Sequence, residues 1–236
     1  MKDESPLTQR VIGVKVHTIG CFVYICDETV KGGANLIIDI LRRTLYMLYV
    51  DDNGKLPCVN PSLYLQIDNC GENINKTLIA FLTDLVRKKV FRKIKACFLM
   101  VGHTHDDIDP VFATISTYLR QVHVVCPDRE SLFRAIEDAF IKAEEKPLVF
   151  PLAATDIIDY TAFYEHKIDK NISHHQIPHQ CRIKTFKTTN DEETELVLVH
   201  SKNWAESTYW LPRYDSIAAR TCPAKLDSKG HLTQGQ

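Results

Sequence analysis

The sequence predicts an α/β fold, and three observations lead to this class. Short β-rich runs alternate with longer segments in which apolar residues recur at helical spacing. Each of two acidic clusters comes directly after an apolar strand-like run and just before a helical one. Hydrophobic residues make up 44% of the 236 residues and charged residues 25%, which is typical of a globular protein rather than a disordered chain.

The first half of the chain alternates strands and helices. Residues 11–17 and 21–26 are β-rich runs on either side of a turn at 18–20, which predicts a hairpin. Apolar residues between 36 and 48 recur at helical spacing, and residues 51–61 are rich in turn formers. Residues 63–67 predict a short strand that ends at Asp68, residues 78–86 a second helix, and residues 94–101 a buried strand.

The second half continues with helices and then a hairpin. A third helix is predicted over 109–121, with Phe112, Ile115 and Leu119 on one face. Asp128 is a predicted N-cap of a fourth helix that reaches about residue 143. We expect one more helix over 155–168, strands over 182–186 and 195–200, and disorder in the last 20 or so residues.

The resulting order, β-β-α-β-α-β-α, is that of an RNase H-like fold without its first strand. We therefore predict an RNase H-like mixed sheet flanked by helices over 5–145, a C-terminal helix-and-hairpin appendage over 146–212, and a disordered tail over 213–236. The first strand of that fold is central, so its absence would leave two sheet halves unpaired, with costly orphan backbone groups. The sequence thus predicts that this chain is a fragment, or that another segment occupies the position of the missing first strand.

Two acidic motifs carry the predicted chemistry. Asp68-Asn69-Cys70 is followed by a cluster that runs from Gly102 to Asp109, and Asp109 lies 41 residues after Asp68. Carboxylates that meet at the ends of neighbouring strands can hold Mg²⁺ for phosphodiester chemistry. The alternative is structural: Asp68 forms a turn and Asp109 caps a helix.

His103 and His105 have three interpretations. They orient the acids or contact phosphate; they are loop histidines satisfied by backbone; or, with Asp107, they begin an H-x-H-x-D zinc site of the metallo-β-lactamase type. Position 108, where that motif has histidine, is Ile108. A zinc hydrolase is therefore the alternative enzyme.

Composition limits location and partners. Residues 1–10 are polar and do not predict a signal peptide, and no apolar run approaches the ~18 residues of a membrane span. The eight cysteines form no C-x-x-C pair, which favours reduced thiols in an intracellular protein.

The net charge is −1, so nucleic-acid binding would need a local patch. The basic residues 87–89, 92, 93 and 95 either touch phosphate or simply complement a helix end, and we favour the second.

The two acidic motifs together resemble a transposase-like, RNase H-fold domain family of uncharacterised function that is related to mobile elements. Its pattern is D-N-C-x-x-(Q/E)-N-K-N and then G-H-(T/S)-x-x-x-x-D-x-x-F. The first part is matched here by Asp68, Asn69, Cys70, Glu72, Asn73 and Asn75, and the second by Gly102, His103, Thr104, Asp109 and Phe112. The resemblance covers roughly residues 5–210.

The resemblance implies a DDE-type site. Asp68 and Asp109 would be its second and third acids and would bind Mg or Mn, as a two-ion site once a first acid is supplied. His103 would be a catalytic support, and further supporting residues would be Asn69, Asn73, His105 and Asp106. No residue here matches the first acid, Ile74 replaces the family's lysine, the loop after Asp68 is one residue shorter, and Pro110 follows Asp109 directly.

The function predicted in this way is a mobile-element-derived DDE transposase or nuclease-like domain, inactive as a fragment. Its ancestral reaction would be Mg²⁺-dependent DNA strand cleavage and transfer, with DNA as partner and the nucleus as location. The sequence leaves a homo-oligomer open and predicts no membrane association. The non-enzymatic alternative is a domesticated domain that binds nucleic acid or protein.

Overall fold

The computed structural model describes residues 9–49, 60–68, 75–99, 107–121, 124–165, 180–187, 195–202 and 211–212. The strands are β1 Arg10–Val16, β2 Gly20–Cys26, β3 Asn60–Ile67, β4 Phe91–Phe98, β5 Leu148–Leu152, β6 Gln180–Lys187, β7 Glu195–Lys202 and β8 Leu211–Pro212. The helices are α1 Ala34–Tyr49, α2 Lys76–Arg87, α3 Asp109–Gln121, α4 Arg129–Ala139 and α5 Tyr160–Tyr164. The predicted α/β class is therefore confirmed.

The chain forms two compact units, and each unit is built from two separate chain segments. The first unit contains Met1–Gly32 and His105–Ile158, and the second contains Gly33–Thr104 and Asp159–Gln236. None of the described helices is long and apolar enough to cross a membrane.

The first unit is a three-stranded sheet covered by α3 and α4. The hairpin of β1 and β2 turns at Thr18, whose φ is +67°, and the Ile19 N–H donates to the Val16 carbonyl at 3.1 Å. β5 then pairs with β2 in parallel, which places β2 in the centre of the order β1-β2-β5. Buried apolar side chains of β2 and both helices form the core of this unit: Cys21, Val23, Ile25, Ile115, Ile136 and Phe140.

The second unit is a five-stranded mixed sheet in the order β3-β4-β6-β7-β8. β3 and β4 run parallel, and the remaining pairs are antiparallel. Nine of the twelve residues of α2 are buried, because the apolar stripe of this helix packs against β4 and β6 in one core with α1 and α5.

A buried carboxylate connects α1 and α5 within the second unit. Asp39 is fully buried and accepts hydrogen bonds from Arg42, Arg43 and the Tyr160 hydroxyl, the last at 3.4 Å. A buried charge is tolerated only where it is paired and hydrogen-bonded in this way. We therefore interpret Asp39 as structural.

Most predicted elements are confirmed, with shifted ends. The hairpin, the first three helices, and strands at β3, β4, β6 and β7 all form, and Asp128 is the N-cap of α4. β4 ends at Phe98 rather than at residue 101. α4 ends at Ala139 rather than near 143, because the Phe140 N–H turns to the Glu137 carbonyl at 3.1 Å. The predicted loop tip of the second hairpin and the predicted disordered tail lie outside the described residues.

The predicted helix over 155–168 forms only in part, and residues 166–168 lie outside the described residues. Residues 154–156 form one turn of 3₁₀ helix, Ile157 is extended, and the five-residue α5 starts again after Asp159. β5, which contains Pro151, was not predicted. In the structure β5 is an edge strand, where a proline is accepted.

The described strands form two sheets rather than one. The hairpin lies in one sheet and the parallel pair β3–β4 in another, and β1 and β3 each have a single strand partner among the described residues. The strands β6 and β7, which the sequence assigns to an appendage, extend the sheet of β3 and β4. RNase H-like identity stays a prediction.

Candidate functional site

Asp68 is the exposed residue that follows the last residue of β3. The inward alternation of Leu63, Leu65 and Ile67 holds this strand on the core. The Leu99 N–H donates to the Ile67 carbonyl at 3.0 Å, so the parallel pairing of β3 and β4 continues to the residue before Asp68. The carboxylate is thus presented at the carboxyl end of a parallel pair, which is where α/β sheets bind ligands.

Asp109 is the exposed first residue of α3. An acidic side chain is favoured there by the helix dipole, and Pro110 fits the first turn because its missing N–H has no helical partner. Asp109 therefore meets the predicted position at a helix start. This placement agrees equally with a ligand role and with a capping role.

The start of α3 is positioned by its close approach to Gly13 of β1. A Cβ atom at Gly13 would lie 2.8 Å from Cγ1 of Ile108, 2.9 Å from its Cδ1 and 3.0 Å from Cζ of Phe112. These separations are shorter than ordinary carbon contacts, so only glycine fits without movement. Sequence reasoning assigned no role to Gly13, although a lone glycine inside a strand pattern often marks close approach.

His17 is a further polar residue at this end of the first unit that the sequence did not single out. Its Nε2 lies 3.5 Å from Oδ2 of Asp107, and both side chains are mostly exposed. An exposed pair of this kind contributes little to stability. The pair does place the His17 imidazole beside Asp107, which lies two residues before Asp109 in the chain.

Asp68 belongs to the second unit, whereas Asp107 and Asp109 belong to the first. The pairing of Asp68 with Asp109 therefore stays a prediction. Asn69, Asn73, His103, His105 and Asp106 lie outside the described residues. Among the side chains that are described, no three His, Cys, Asp or Glu residues gather as a metal-binding group.

The predicted basic run is divided between two elements. Arg87 and Lys88 end α2 and pair with Asp84, with Nη2–Oδ1 and Nζ–Oδ2 distances of 2.7 and 3.3 Å, which agrees with the structural interpretation. Lys93 and Lys95 instead lie on β4. The chain turns at Lys89, with φ +59°, and enters the sheet, so these two lysines do not complement the end of the helix.

The structure describes five cysteines, and none of them is paired with another of the five in a disulfide: Cys21, Cys26, Cys97, Cys126 and Cys181. Burial raises the pKa of Cys181 to about 12, so this thiol is not a nucleophile near neutral pH.

Comparison with known proteins gave one match. The model of the family DUF7869, a domain of unknown function, matches residues 1–207. Neither the curated proteins nor the solved structures contain a match to this chain.

Proposed function

We propose a function from one premise: this chain belongs to the DUF7869 family, a domain of unknown function. The proposed function is that of a mobile-element-derived, DDE transposase- or nuclease-like domain that acts on DNA in the nucleus. The observation that carries the proposal is the exposed carboxylate of Asp68 at the carboxyl end of the parallel pair β3–β4. The acid at the start of α3, Asp109, supplies the second carboxylate of the proposed site.

Both proposed ligands suit a hard divalent cation. Mg²⁺ takes oxygen ligands, and the two exposed carboxylates provide them without a buried-charge penalty. Bound Mg²⁺ would supply activation of the attacking oxygen and stabilisation of the leaving oxygen. The role of the chain is to fix the acids: β3 pairing holds the backbone before Asp68, and the contact of Ile108 and Phe112 with Gly13 holds the turn before Asp109.

The proposal is tested by DNA cleavage with the purified chain. Supercoiled plasmid and end-labelled oligonucleotides are incubated with Mg²⁺ or Mn²⁺, and wild type is compared with Asp68→Ala, Asp109→Ala and the control Asp138→Ala. Asp138 is an exposed aspartate of α4, so the control removes the same charge elsewhere. Because no residue of this chain matches the first acid, we expect weak metal-dependent cleavage at most, and only the first two substitutions should abolish it.

Two outcomes would contradict the proposal. An absence of cleavage by wild type, together with equal magnesium binding by wild type and by the Asp68 and Asp109 variants, would leave a non-enzymatic role. Cleavage that is lost on zinc chelation and untouched by Asp68→Ala would instead support the zinc hydrolase. Magnesium binding measured by calorimetry gives a readout that does not depend on turnover.

A further inference from the structure

In the second unit, the described side chains of β4 and β6 form one apolar face and one cationic face. On β4 the buried Ile94, Ala96 and Phe98 alternate with the half-buried Lys93 and Lys95. On β6 the buried Cys181 and Ile183 alternate with the half-buried Arg182 and Lys184. Because side chains alternate across a strand, the four cations share the face opposite the core.

The pairing register places these cations against one another. Lys93 lies directly opposite Lys184, and Lys95 lies directly opposite Arg182, in the antiparallel pair β4–β6. Like charges at opposed positions destabilise a sheet. Burial, and then the charges of Arg182 and Lys93, lower the pKa of Lys184, so folding penalises its charged form.

Tyr64 on the neighbouring strand adds an aromatic ring to the same face. It is opposite Lys95 in the parallel register of β3 and β4, and it is 66% exposed. The Nζ of Lys93 lies 5.2 Å from the centre of the Tyr64 ring and donates a hydrogen bond of 3.1 Å to its hydroxyl. An exposed large aromatic side chain on a flat sheet is available for stacking.

The remaining described side chains on this face of β3, β4 and β6 are uncharged: Ser62, Gln66, Cys97 and Gln180. The described strand residues on this face thus carry four positive charges and no negative charge, in a chain whose net charge is only −1. A local patch of this kind creates a potential that the overall charge does not reveal.

We propose that this face, formed by Lys93, Lys95, Arg182, Lys184 and Tyr64, binds single-stranded nucleic acid, with phosphates on the cations and a base stacked on Tyr64. Cationic grooves with exposed aromatic rings bind single strands in this manner without reading sequence. A single strand is favoured over a duplex because only an unpaired base can stack on the ring. The inference does not depend on the metal site proposed above.

The test measures binding of fluorescent oligothymidylate to the full chain in EDTA, so that failure of the metal site cannot affect it. The triple variant Lys93→Gln, Lys95→Gln, Lys184→Gln is compared with the control Lys31→Gln, Lys142→Gln, Lys146→Gln, which removes the same charge from exposed positions of the first unit. For the face variant, the slope of log affinity against log salt should be shallower by about 2, and the control slope should not change.

Tyr64 is tested separately. Tyr64→Ala should weaken binding about fivefold or more, whereas Tyr64→Phe, which keeps the ring, should bind nearly as well as wild type. Far-ultraviolet circular dichroism confirms that each variant is folded. Equal binding by both triple variants, or by Tyr64→Ala and wild type, would overturn the proposal.

A measurement on the wild-type chain keeps the proposal falsifiable if a variant does not fold. Lysine acylation is mapped by mass spectrometry with and without oligothymidylate. Protection of Lys93, Lys95 and Lys184, but not of the three control lysines, is expected. Absence of that protection, or equally tight binding of duplex DNA or of phosphatidylserine vesicles, would overturn the assignment to single-stranded nucleic acid.

Discussion

At the scale of single residues, Gly13 is a tightly constrained position of the first unit. A methyl group on its Cα atom would lie 2.8–3.0 Å from the ends of the Ile108 and Phe112 side chains, which is closer than carbon atoms normally approach. The same two side chains lead into α3, which carries Asp109. A small residue in β1 thus determines where a proposed site residue is held.

Gly13→Ala should lower the free energy of unfolding by about 1 kcal/mol, because the added methyl group forces two side chains to move. The measurement is urea denaturation followed by circular dichroism. In the background of Ile108→Ala, which removes the nearest atoms, the same substitution should cost less. An equal loss in both backgrounds would show that the contact does not limit this position.

At the scale of elements, side chains that accept backbone hydrogen bonds define the starts of two helices. Asp128 accepts from the Ser131 N–H at 2.7 Å in a capping box at α4. Asp159 accepts from the Ala162 N–H at 3.0 Å and from the Asn35 side chain at 3.0 Å. These bonds hold the pKa of each carboxyl below the ordinary aspartate value of 3.8.

The lowered pKa of Asp159 predicts acid sensitivity. A depressed folded-state pKa gives stability that is complete above the unfolded pKa, near 4, and is lost as the pH falls through the folded value. In Asp159→Asn the amide oxygen still accepts a hydrogen bond but cannot titrate. The free energy of unfolding should therefore fall less between about pH 5 and about pH 3 than in wild type.

The control for this experiment is Asp138→Asn, which changes an exposed aspartate of α4 and leaves the N-cap of α5 intact. The control should follow the wild-type pH dependence. A pH dependence of Asp159→Asn that equals that of wild type would show that this cap does not couple to pH.

Local patterns predicted most elements, and non-local pairing explains those that were missed. The apolar stripe of α2 and the Asp128 cap are visible in a few consecutive residues. β5 was not predictable in this way, because Leu148–Leu152 becomes a strand only by pairing with a distant segment, Phe22–Cys26. The cationic face was missed for the same reason: its charges gather only when β4 pairs with β6.

At the scale of the whole molecule, each unit has its own buried core. Ile136 is fully buried with β2 and α3 side chains in the first unit. Ile183 is fully buried with α1 and α2 side chains in the second. The two cores share no residue among those described.

Ile136→Ala and Ile183→Ala should each lower the free energy of unfolding by about 2–5 kcal/mol, because both leave a cavity in a packed core. Amide hydrogen exchange should separate the two variants. Ile136→Ala should accelerate exchange mainly in β1, β2, α3 and α4, and Ile183→Ala mainly in β3, β4, β6 and α2. The same pattern of acceleration in both variants would contradict two separate cores.

The candidate metal site was predictable only in part. The sequence correctly gave the end of β3 at Asp68 and the start of α3 at Asp109, since each follows from a local apolar pattern. The distance between two carboxylates in different units depends on tertiary structure that no local pattern contains. The sequence could have indicated Gly13, because it is a glycine inside a strand pattern. It could not have indicated that Gly13 contacts Ile108 and Phe112.

The interleaving of the two units has a consequence for biosynthesis. When β2 leaves the ribosome, its parallel partner β5 has not been translated, and it follows roughly 10 s later at usual elongation rates. Throughout that interval β2, the most apolar strand of the first unit, lacks its strand partner on one edge. Nascent chains arrested before Leu148 should therefore recruit chaperones through this hairpin, and chains arrested well after Leu152 should release them.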